Sequence, residues 1–349
     1  MHELDGEAAG GQFLRTALAL AAIEGQPVRI ENVRGDRPTP GLAHQHLAVV
    51  ETMSELCDAD VSGASLGAET VVFEPGTDGR VPGGEYVVEI PTAGSVTLLF
   101  DALLALAGSI ESTLSVTATG GTDVAWSPPL DYLRRVKLPL LERFGIEAAV
   151  DCERRGFYPE GGGTATLRLS PSTIEPIHLT DRGSLSTLRL HSIESASLAD
   201  RDVARRQLGG ARERLDPSGD VAVESNASTV ESPSPGSAIV IELGFERSLA
   251  GTDALGERGK PAERVGEEAA DEALALLASS AAIDPHLADQ LLVFLALSGG
   301  RLRIPSVTAH VAAAVDLLAS FDRGLAIERP EATTGSPASE ERVITATER

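Results

Sequence analysis

Aromatic residues make up only 3% of this 349-residue chain, with one tryptophan and three tyrosines. Its core must therefore be built from Ala, Val and Leu, and a hydrophobic content of 42% is ample for one. No apolar run reaches the length of a membrane span, and nothing at the start of the chain reads as a secretory signal. These absences predict a cytoplasmic protein with no membrane partner. Cysteine is nearly missing as well. Cys57 and Cys152 lack metal-ligand or redox spacing, so both read as buried thiols in a reducing compartment. Lysine is the scarcest charged residue: Lys137 and Lys260 stand alone, and every other basic side chain is arginine. Against 29 Lys and Arg there are 52 Asp and Glu, a net charge of −23. Such a balance suits a halophilic protein, because a salt-rich cytoplasm screens self-repulsion. Net charge then reports the solvent more than the partner, and local arginine clusters decide whether nucleic acid can bind.

What the chain does contain is a recurring pattern. Gly10-Gly11-Gln12-Phe13-Leu14-Arg15 opens an Ala/Leu helix through Ile23. Ala93-Gly94-Ser95-Val96-Thr97 opens a second, through Ala107, and Pro285-His286-Leu287-Ala288-Asp289-Gln290 a third, through Leu297. Each is followed by a short apolar run that reads as a strand: Val28–Val33, Ser112–Ala118 and Leu302–Ile304. A further helix follows each strand, over Pro40–Cys57, Pro128–Phe144 and the stretch after His310. The first two openings lie roughly 85 residues apart, the mark of a repeated supersecondary unit. A pair of strands, such as Val71–Glu74 with Tyr86–Ile90, would close each unit.

Residues 181–277 break this spacing. They read as a strand (Leu185–His191), an arginine-rich helix (Ala199–Leu215), strands Val221–Ser225 and Ala238–Leu243, and a helix (Glu263–Ser279). The expected architecture is α/β (α+β). Three repeated helix–strand units over 1–180 and 278–330 form a large discontinuous domain. A smaller α/β module is inserted between the second and third units, and 331–349 is a polar, poorly ordered tail.

His310 is the leading candidate for chemistry. It lies just before the apolar run Val311–Phe321, whose helical spacing places it at a helix start. Exposed backbone N–H groups and the helix dipole make that a natural phosphate site. An imidazole beside a bound nucleotide is a candidate nucleophile toward phosphorus.

Several stretches share one resemblance. Arg34-Gly35-Asp36-Arg37-Pro38-Thr39-Pro40-Gly41-Leu42-Ala43-His44-Gln45-His46-Leu47 resembles the arginine–PGL–QHL stretch of the RNA 3′-terminal phosphate cyclases. So do Thr92-Ala93-Gly94-Ser95, Gly120-Gly121-Thr122-Asp123 with Pro128-Pro129, and Arg155-Gly156-Phe157-Tyr158-Pro159-Glu160-Gly161-Gly162-Gly163. His286-Leu287-Ala288-Asp289-Gln290-Leu291 is similar to the family's ATP-contacting segment, and His310 falls where its nucleotidylated histidine lies. The matches run in order from Gly6 to Phe321. They imply the fold shared with enolpyruvyl transferases and a reaction that uses ATP to turn an RNA 3′-phosphate end into a 2′,3′-cyclic phosphate.

The resemblance also implies roles. His310 would be the nucleophile. Glu7, Asp101, His286, Leu287, Ala288, Asp289 and Gln290 would contact ATP. Arg15, Arg37, Gln45 and His46 suit phosphate and RNA-end contacts, since arginine grips phosphate bidentately. A divalent ion, Mg²⁺ or Mn²⁺, is expected to neutralise departing pyrophosphate, with no protein ligand set legible in the sequence. The expected partners are RNA 3′-phosphate ends and ATP; oligomeric state is not legible. Arg134-Arg135 and Arg154-Arg155 could extend an RNA track or pair with surface acids.

The chain also departs from the family. Its first loop is shortened to Asp5-Gly6-Glu7-Ala8-Ala9-Gly10-Gly11, with the first strand nearly absent. Asp101 replaces the usual glutamine, and Ala313-Ala314 a Thr-Asn pair. A non-catalytic cyclase-like RNA-binding protein is therefore the second reading. An enolpyruvyl transferase is the third, disfavoured because its Lys and Arg pairs for phosphoenolpyruvate are not apparent.

Overall fold

A strand, not a helix, opens each of the three units. The computed structural model describes residues 1–7, 10–215, 221–330 and 340–347. The first unit runs β1 (His2–Asp5), α1 (Gly11–Glu24), β2 (Val28–Glu31), α2 (His44–Cys57), β3 (Asp60–Ser62) and β4 (Val71–Glu74). The second runs β5 (Gly84–Glu89), α3 (Val96–Leu104), β6 (Leu114–Gly120) and α4 (Leu130–Tyr132). A π turn, Leu133–Lys137, carries α4 into α5 (Leu138–Glu142), and β7 (Ala148–Arg154) and β8 (Gly163–Leu169) close the unit. The third begins with β9 (Ile177–Leu179). Then comes the inserted module: β10 (Leu185–Ser195), α6 (Val203–Leu215), β11 (Ala222–Val230), β12 (Ser237–Phe245), β13 (Leu249–Leu255) and α7 (Ala262–Ala278). The third unit resumes with α8 (Pro285–Gln290), α9 (Leu292–Ser298), β14 (Gly300–Ile304), α10 (Ala309–Ser320), β15 (Ala326–Glu328) and β16 (Arg342–Ala346).

The sheet orders make the repetition plain. They are β1-β2-β4-β3, β5-β6-β8-β7 and β9-β14-β16-β15. In each, the first strand pairs parallel with the second, and the other two pairings are antiparallel. Parallel neighbours need a crossover helix, which α1, α3 and the α8–α9 pair supply.

The structure departs from the sequence expectations in four places. The first strand is present: His2–Asp5 pairs with Val28–Glu31. Val71–Glu74 does not pair with the run from Tyr86. β4 pairs with β2 and β3, while β5 opens the next unit against β6. Short apolar runs declare a strand without declaring its partner. The inserted module lies inside the third unit, after β9, rather than between units. The tail is not uniformly polar or loose: Arg342–Ala346 is a central strand with Val343, Ile344 and Ala346 buried, so the large domain extends past 330. Its five residues, with Val343 and Ile344 adjacent and both buried, show no clean period-2 alternation and are too short to stand out as a strand. Residues 331–339 lie outside the described residues. Cys57 is buried and Cys152 only partly so; burial pushes the Cys57 thiol up to about 12.

The crossover helices build the central core. In α1, Leu14 and Ala17 to Ala22 are all buried, and Gly25 ends the helix in the left-handed region, donating its N–H back to Ala21 and Ala22. Small alanines let α1 pack against α2, α3 and α10. The inserted module has its own core, in which Leu188, Leu190, Ile239, Ile241 and Leu243 face α6 and α7. Arg182 fastens its two ends, donating to the carbonyls of Leu276, Leu277, Ser279 and Ala281 at 2.7–3.3 Å. No helix among the described residues is long and apolar enough to cross a membrane.

Candidate active site

Helices from all three units, the third supplying more than one, line a single open cleft of about 390 Å³. Gln12, Arg15, Thr16 and Ala19 come from α1; Asp101 and Ala102 from α3; Asp289 and Gln290 from α8; and Ala314 and Leu318 from α10. A second hollow of about 240 Å³ adjoins it, lined by Gly10, Gln12, Phe13, Thr16, His310, Ala313, Ala314 and Leu317. Gln12, Thr16 and Ala314 border both. The hollow holding the histidine and the cleft holding the charges are therefore neighbours.

His310 is the second residue of α10 and is exposed. Thr308 caps the helix, its Oγ1 accepting from the Val311 N–H at 3.2 Å. The imidazole borders Gly10. A Cβ placed there would lie 3.4 Å from His310 Cε1 and 3.6 Å from an Arg37 guanidinium nitrogen. Arg37 is exposed and so stands at the mouth beside the imidazole. Gly11 holds the next pair: a Cβ there would lie 2.2 Å from His46 Nε2 and 3.2 Å from an Arg15 nitrogen. Only glycine lets α1 begin against these side chains.

Four charged groups from four elements meet at the cleft floor. Arg15 is buried, and its Nε has no hydrogen-bond partner among the described residues. Burial pulls the guanidinium down to about 10 against the opposing pull of Asp289, so it stays charged at neutral pH. The Lys137 ammonium contacts the Asp101 carboxylate, with side-chain exposures of 2% and 15%. Burial drives Lys137 down to about 7, Asp289 opposes this and Arg15 adds to it. The directly contacting Asp101 favours the charged form, and we take the pair as ionic. Burial raises the Asp289 carboxyl, while His310, His286, Lys137 and Arg15 pull it back down. Two cations and two carboxylates thus balance in a partly dry site. His46, 5% exposed, is driven down to about 3 by burial and then by Arg15 and Arg34. It is neutral at any working pH.

The other predicted residues lie elsewhere. Leu287 and Ala288 are fully buried core, and the His286 ring turns to the inserted module. There its Nε2 lies 3.3 Å from Asp253 Oδ1, and it meets Tyr132 edge-on with centroids 5.4 Å apart. Burial works against its charge, but Asp253, then Asp284 and Asp289, outweigh that and raise it to about 9. Of the stretch 286–290, only Asp289 and Gln290 line the cleft. Glu7 packs over Gly35, its carbonyl accepting from the Asp36 N–H at 2.9 Å, outside both hollows. Gln45 joins two units, its Oε1 accepting from the Ser95 N–H at 3.1 Å.

Two residues were missed. Lys137 could have been suspected as one of two lysines in an arginine chain, within a predicted helix. Asp284 is the N-cap of α8, accepting from the N–H groups of His286 and Leu287, from the Tyr132 hydroxyl at 2.7 Å and from the Gly251 N–H at 2.9 Å. It ties unit two, the module and unit three behind Asp289. Its signal was the Asp-Pro pair at a helix start.

Among the described residues no group of three or more His, Cys, Asp or Glu side chains is gathered as a protein-only metal site needs. A hard divalent ion shared with nucleotide phosphates needs only one or two carboxylates. Asp289 fits that lesser demand: it lines the cleft and has no ion pair with a described residue, whereas Asp101 is engaged by Lys137.

A family model described as RNA 3′-terminal phosphate cyclase matches residues 7–323. The chain is 46% identical over 339 residues to the RNA 3′-terminal phosphate cyclase of Halobacterium salinarum, covering 95% of this chain and 98% of that protein. It is 42% identical to the cyclase of Pyrococcus furiosus, covering 89% and 90%. The crystal structure of the enolpyruvyl transferase NikO from Streptomyces tendae is 19% identical, with a TM-score of 0.27 over 51% of this chain and 32% of that one. With the family model matching residues 7–323 and the sequence relatives covering nearly the whole chain, the chain belongs to the RNA 3′-terminal phosphate cyclase family.

Proposed function

We propose that this chain uses ATP to convert an RNA 3′-terminal phosphate into a 2′,3′-cyclic phosphodiester through a His310–AMP intermediate. The observation that carries the reading is the exposed imidazole at the start of α10, beside a cleft where Arg15, Asp289 and Gln290 from different units converge. A nitrogen lone pair of His310 attacks the α-phosphorus of ATP. A P–N bond forms, the α–β bridging P–O bond breaks, and pyrophosphate leaves. Arg15 and Arg37 are placed to meet phosphate charge. Asp289 would hold a divalent ion with the phosphates, and such an ion supplies charge neutralisation as pyrophosphate departs.

An oxygen of the RNA 3′-phosphate then takes the adenylyl group, breaking the P–N bond. The neighbouring ribose 2′-OH attacks the RNA phosphorus, loses its proton and expels AMP. Adenylation makes a good leaving group, and the vicinal hydroxyl gains from proximity. Neutral His46 adds no repulsion to incoming cations and can hydrogen-bond to phosphate. The acidic surface is consistent with work in strong salt, where charge alone gives little affinity and shaped contacts must select the RNA end.

The test supplies RNA 3′-phosphate, ATP and magnesium or manganese in strong salt. The end should become resistant to phosphatase, with one AMP and one pyrophosphate released per end. A 2′-deoxy terminus should stop at adenylated RNA, and His310→Ala should do neither. RNA binding without conversion would instead mark a non-catalytic RNA-binding relative.

A further inference from the structure

In a chain so poor in aromatics, two of them stand in water. Trp126, the only tryptophan, is 99% exposed and Tyr158 is 73% exposed, while Tyr132, Phe73, Phe100, Phe294 and Phe321 are fully buried. Neither exposed ring sits on a loose loop. Asp123 and Phe157 form a bridge between the two loops, and the N–H groups of Thr122 and Asp123 both donate to the Gly156 carbonyl at 2.9 and 3.3 Å. Beneath them buried Arg155 reaches Asp123 at 3.1 Å and Asp131 at 2.8 Å. Phe157 is anchored with Ile193 and Ala238 of the inserted module. Trp126 itself adopts φ 63°, a conformation that costs a non-glycine residue of order 1 kcal/mol. A firm base that holds an indole in water contributes little to folding; it suits a surface that stacks on something.

The charge around the rings says what. Arg134 and Arg135 lie 3.8 and 3.5 Å from Asp131, which they share with Arg155. Exposed Arg154 is fixed by its Nε–H donating to the Gly162 carbonyl at 2.9 Å. Arg134, Arg135 and Arg154 are the guanidinium groups with access to solvent here, while buried Arg155 is matched by Asp123 and Asp131, on a chain of net charge −23. The Trp126 loop also rests on the start of α3. Ser95 bridges Gly121 there, and Thr97 Oγ1 donates to the Pro128 carbonyl at 3.0 Å. From Ser95 to Asp101 in the cleft is about 9 Å of helix.

We propose that Trp126 and Tyr158 form a stacking platform for the unpaired RNA strand just upstream of the reacting end, with Arg134, Arg135 and Arg154 meeting its phosphates. The assignment rests on the RNA reading above. Stacking on aromatic rings tolerates any base and survives salt that weakens phosphate contacts. This gives an enzyme of strong salt a grip on RNA ends of any sequence.

Trp126 is its own reporter. Its emission is followed while a short single-stranded RNA bearing a 3′-phosphate is added, and separately a single nucleoside 3′-phosphate. The oligonucleotide should quench the indole and the mononucleotide should not. Trp126→Ala should weaken oligonucleotide binding about tenfold, and the double variant with Tyr158→Ala about a hundredfold. Trp126→Phe should stay within about threefold of the parent. Covalent labelling by ATP should be unchanged in all three, which also shows that they fold. Bound RNA that leaves the indole emission unchanged overturns the platform, as does unchanged affinity in Trp126→Ala. An emission change that depends on protein concentration alone would assign the face to a second copy and overturn it too. Quenching without any cyclisation would sink the proposed activity and leave the platform standing. Cyclisation without quenching would do the reverse.

Discussion

Lys137→Met removes one of the four charges at the cleft floor while nearly keeping the side chain's volume. The lysine side chain is 2% exposed and its partner Asp101 15% exposed, so the carboxylate would be left largely out of water. Breaking a buried pair from one side costs about 3–5 kcal/mol. A methionine beside Phe294, whose ring lies 5.9 Å from Nζ, recovers about 1 kcal/mol through apolar contact. The net expected loss is about 2–4 kcal/mol. It is measured by denaturant unfolding in strong salt, followed by circular dichroism because Trp126 already stands in water when folded. Removing both charges in Lys137→Met/Asp101→Leu should return stability to within about 1 kcal/mol of the parent, because no charge is then left buried without its partner. A single variant as stable as the parent, or a double variant worse than the single, would refute the ionic pairing.

Three further outcomes follow from the same geometry. His46 titrates near 6.5 when unfolded and about 3 when folded, so the unfolded chain takes up a proton first as pH falls. Stability from this group is complete above 6.5 and drops by up to about 1.4 kcal/mol per pH unit toward 3; unfolding curves of His46→Gln should lack that component, and an unchanged acid limb would contradict it. Gly11→Ala drives a methyl into the His46 ring, at 2.2 Å from Nε2. Overpacking costs about 1–3 kcal/mol and alanine's better helix propensity recovers at most about 1 of it at this first helical position, so kinetics should show activity falling at least tenfold while stability falls by about 2 kcal/mol or less. Deleting residues 340–349 removes β16 and uncovers Leu302 and Ile304 of β14; solubility and circular dichroism should report a chain that no longer folds cooperatively, and a normally folded product would deny that strand a place in the core.

The sequence made legible whatever was written in periodicity or in local chemistry. The Ala/Leu runs of α1, α3 and α8–α9 declared themselves by helical spacing. His310 was placed correctly at a helix start because Thr308 and the following apolar residues carry an ordinary helix signal. The opening strands β1, β5 and β9 were lost or misassigned because three to six residues show no partner, and pairing is decided by sheet order. β16 was lost for the same reason, being five residues among polar neighbours. At the site, Arg15, Asp289 and Gln290 were named through the family resemblance of the stretches that carry them, and all three line the cleft. Which way His286 turned was not legible, since that depends on Asp253 and Tyr132, distant in sequence. Lys137 escaped notice because its meaning lies in a carboxylate 36 positions earlier.

The most direct measurement asks whether AMP is found on His310. The protein is incubated with ATP and a divalent ion in strong salt, without RNA, then digested and examined by mass spectrometry under alkaline conditions that preserve a phosphoramidate. One adenylyl group should sit on the peptide carrying His310, should disappear on brief acid treatment, and should be absent from His310→Ala. Adenylate on any other residue, or undiminished labelling of His310→Ala, would contradict the assignment of this imidazole as the nucleophile.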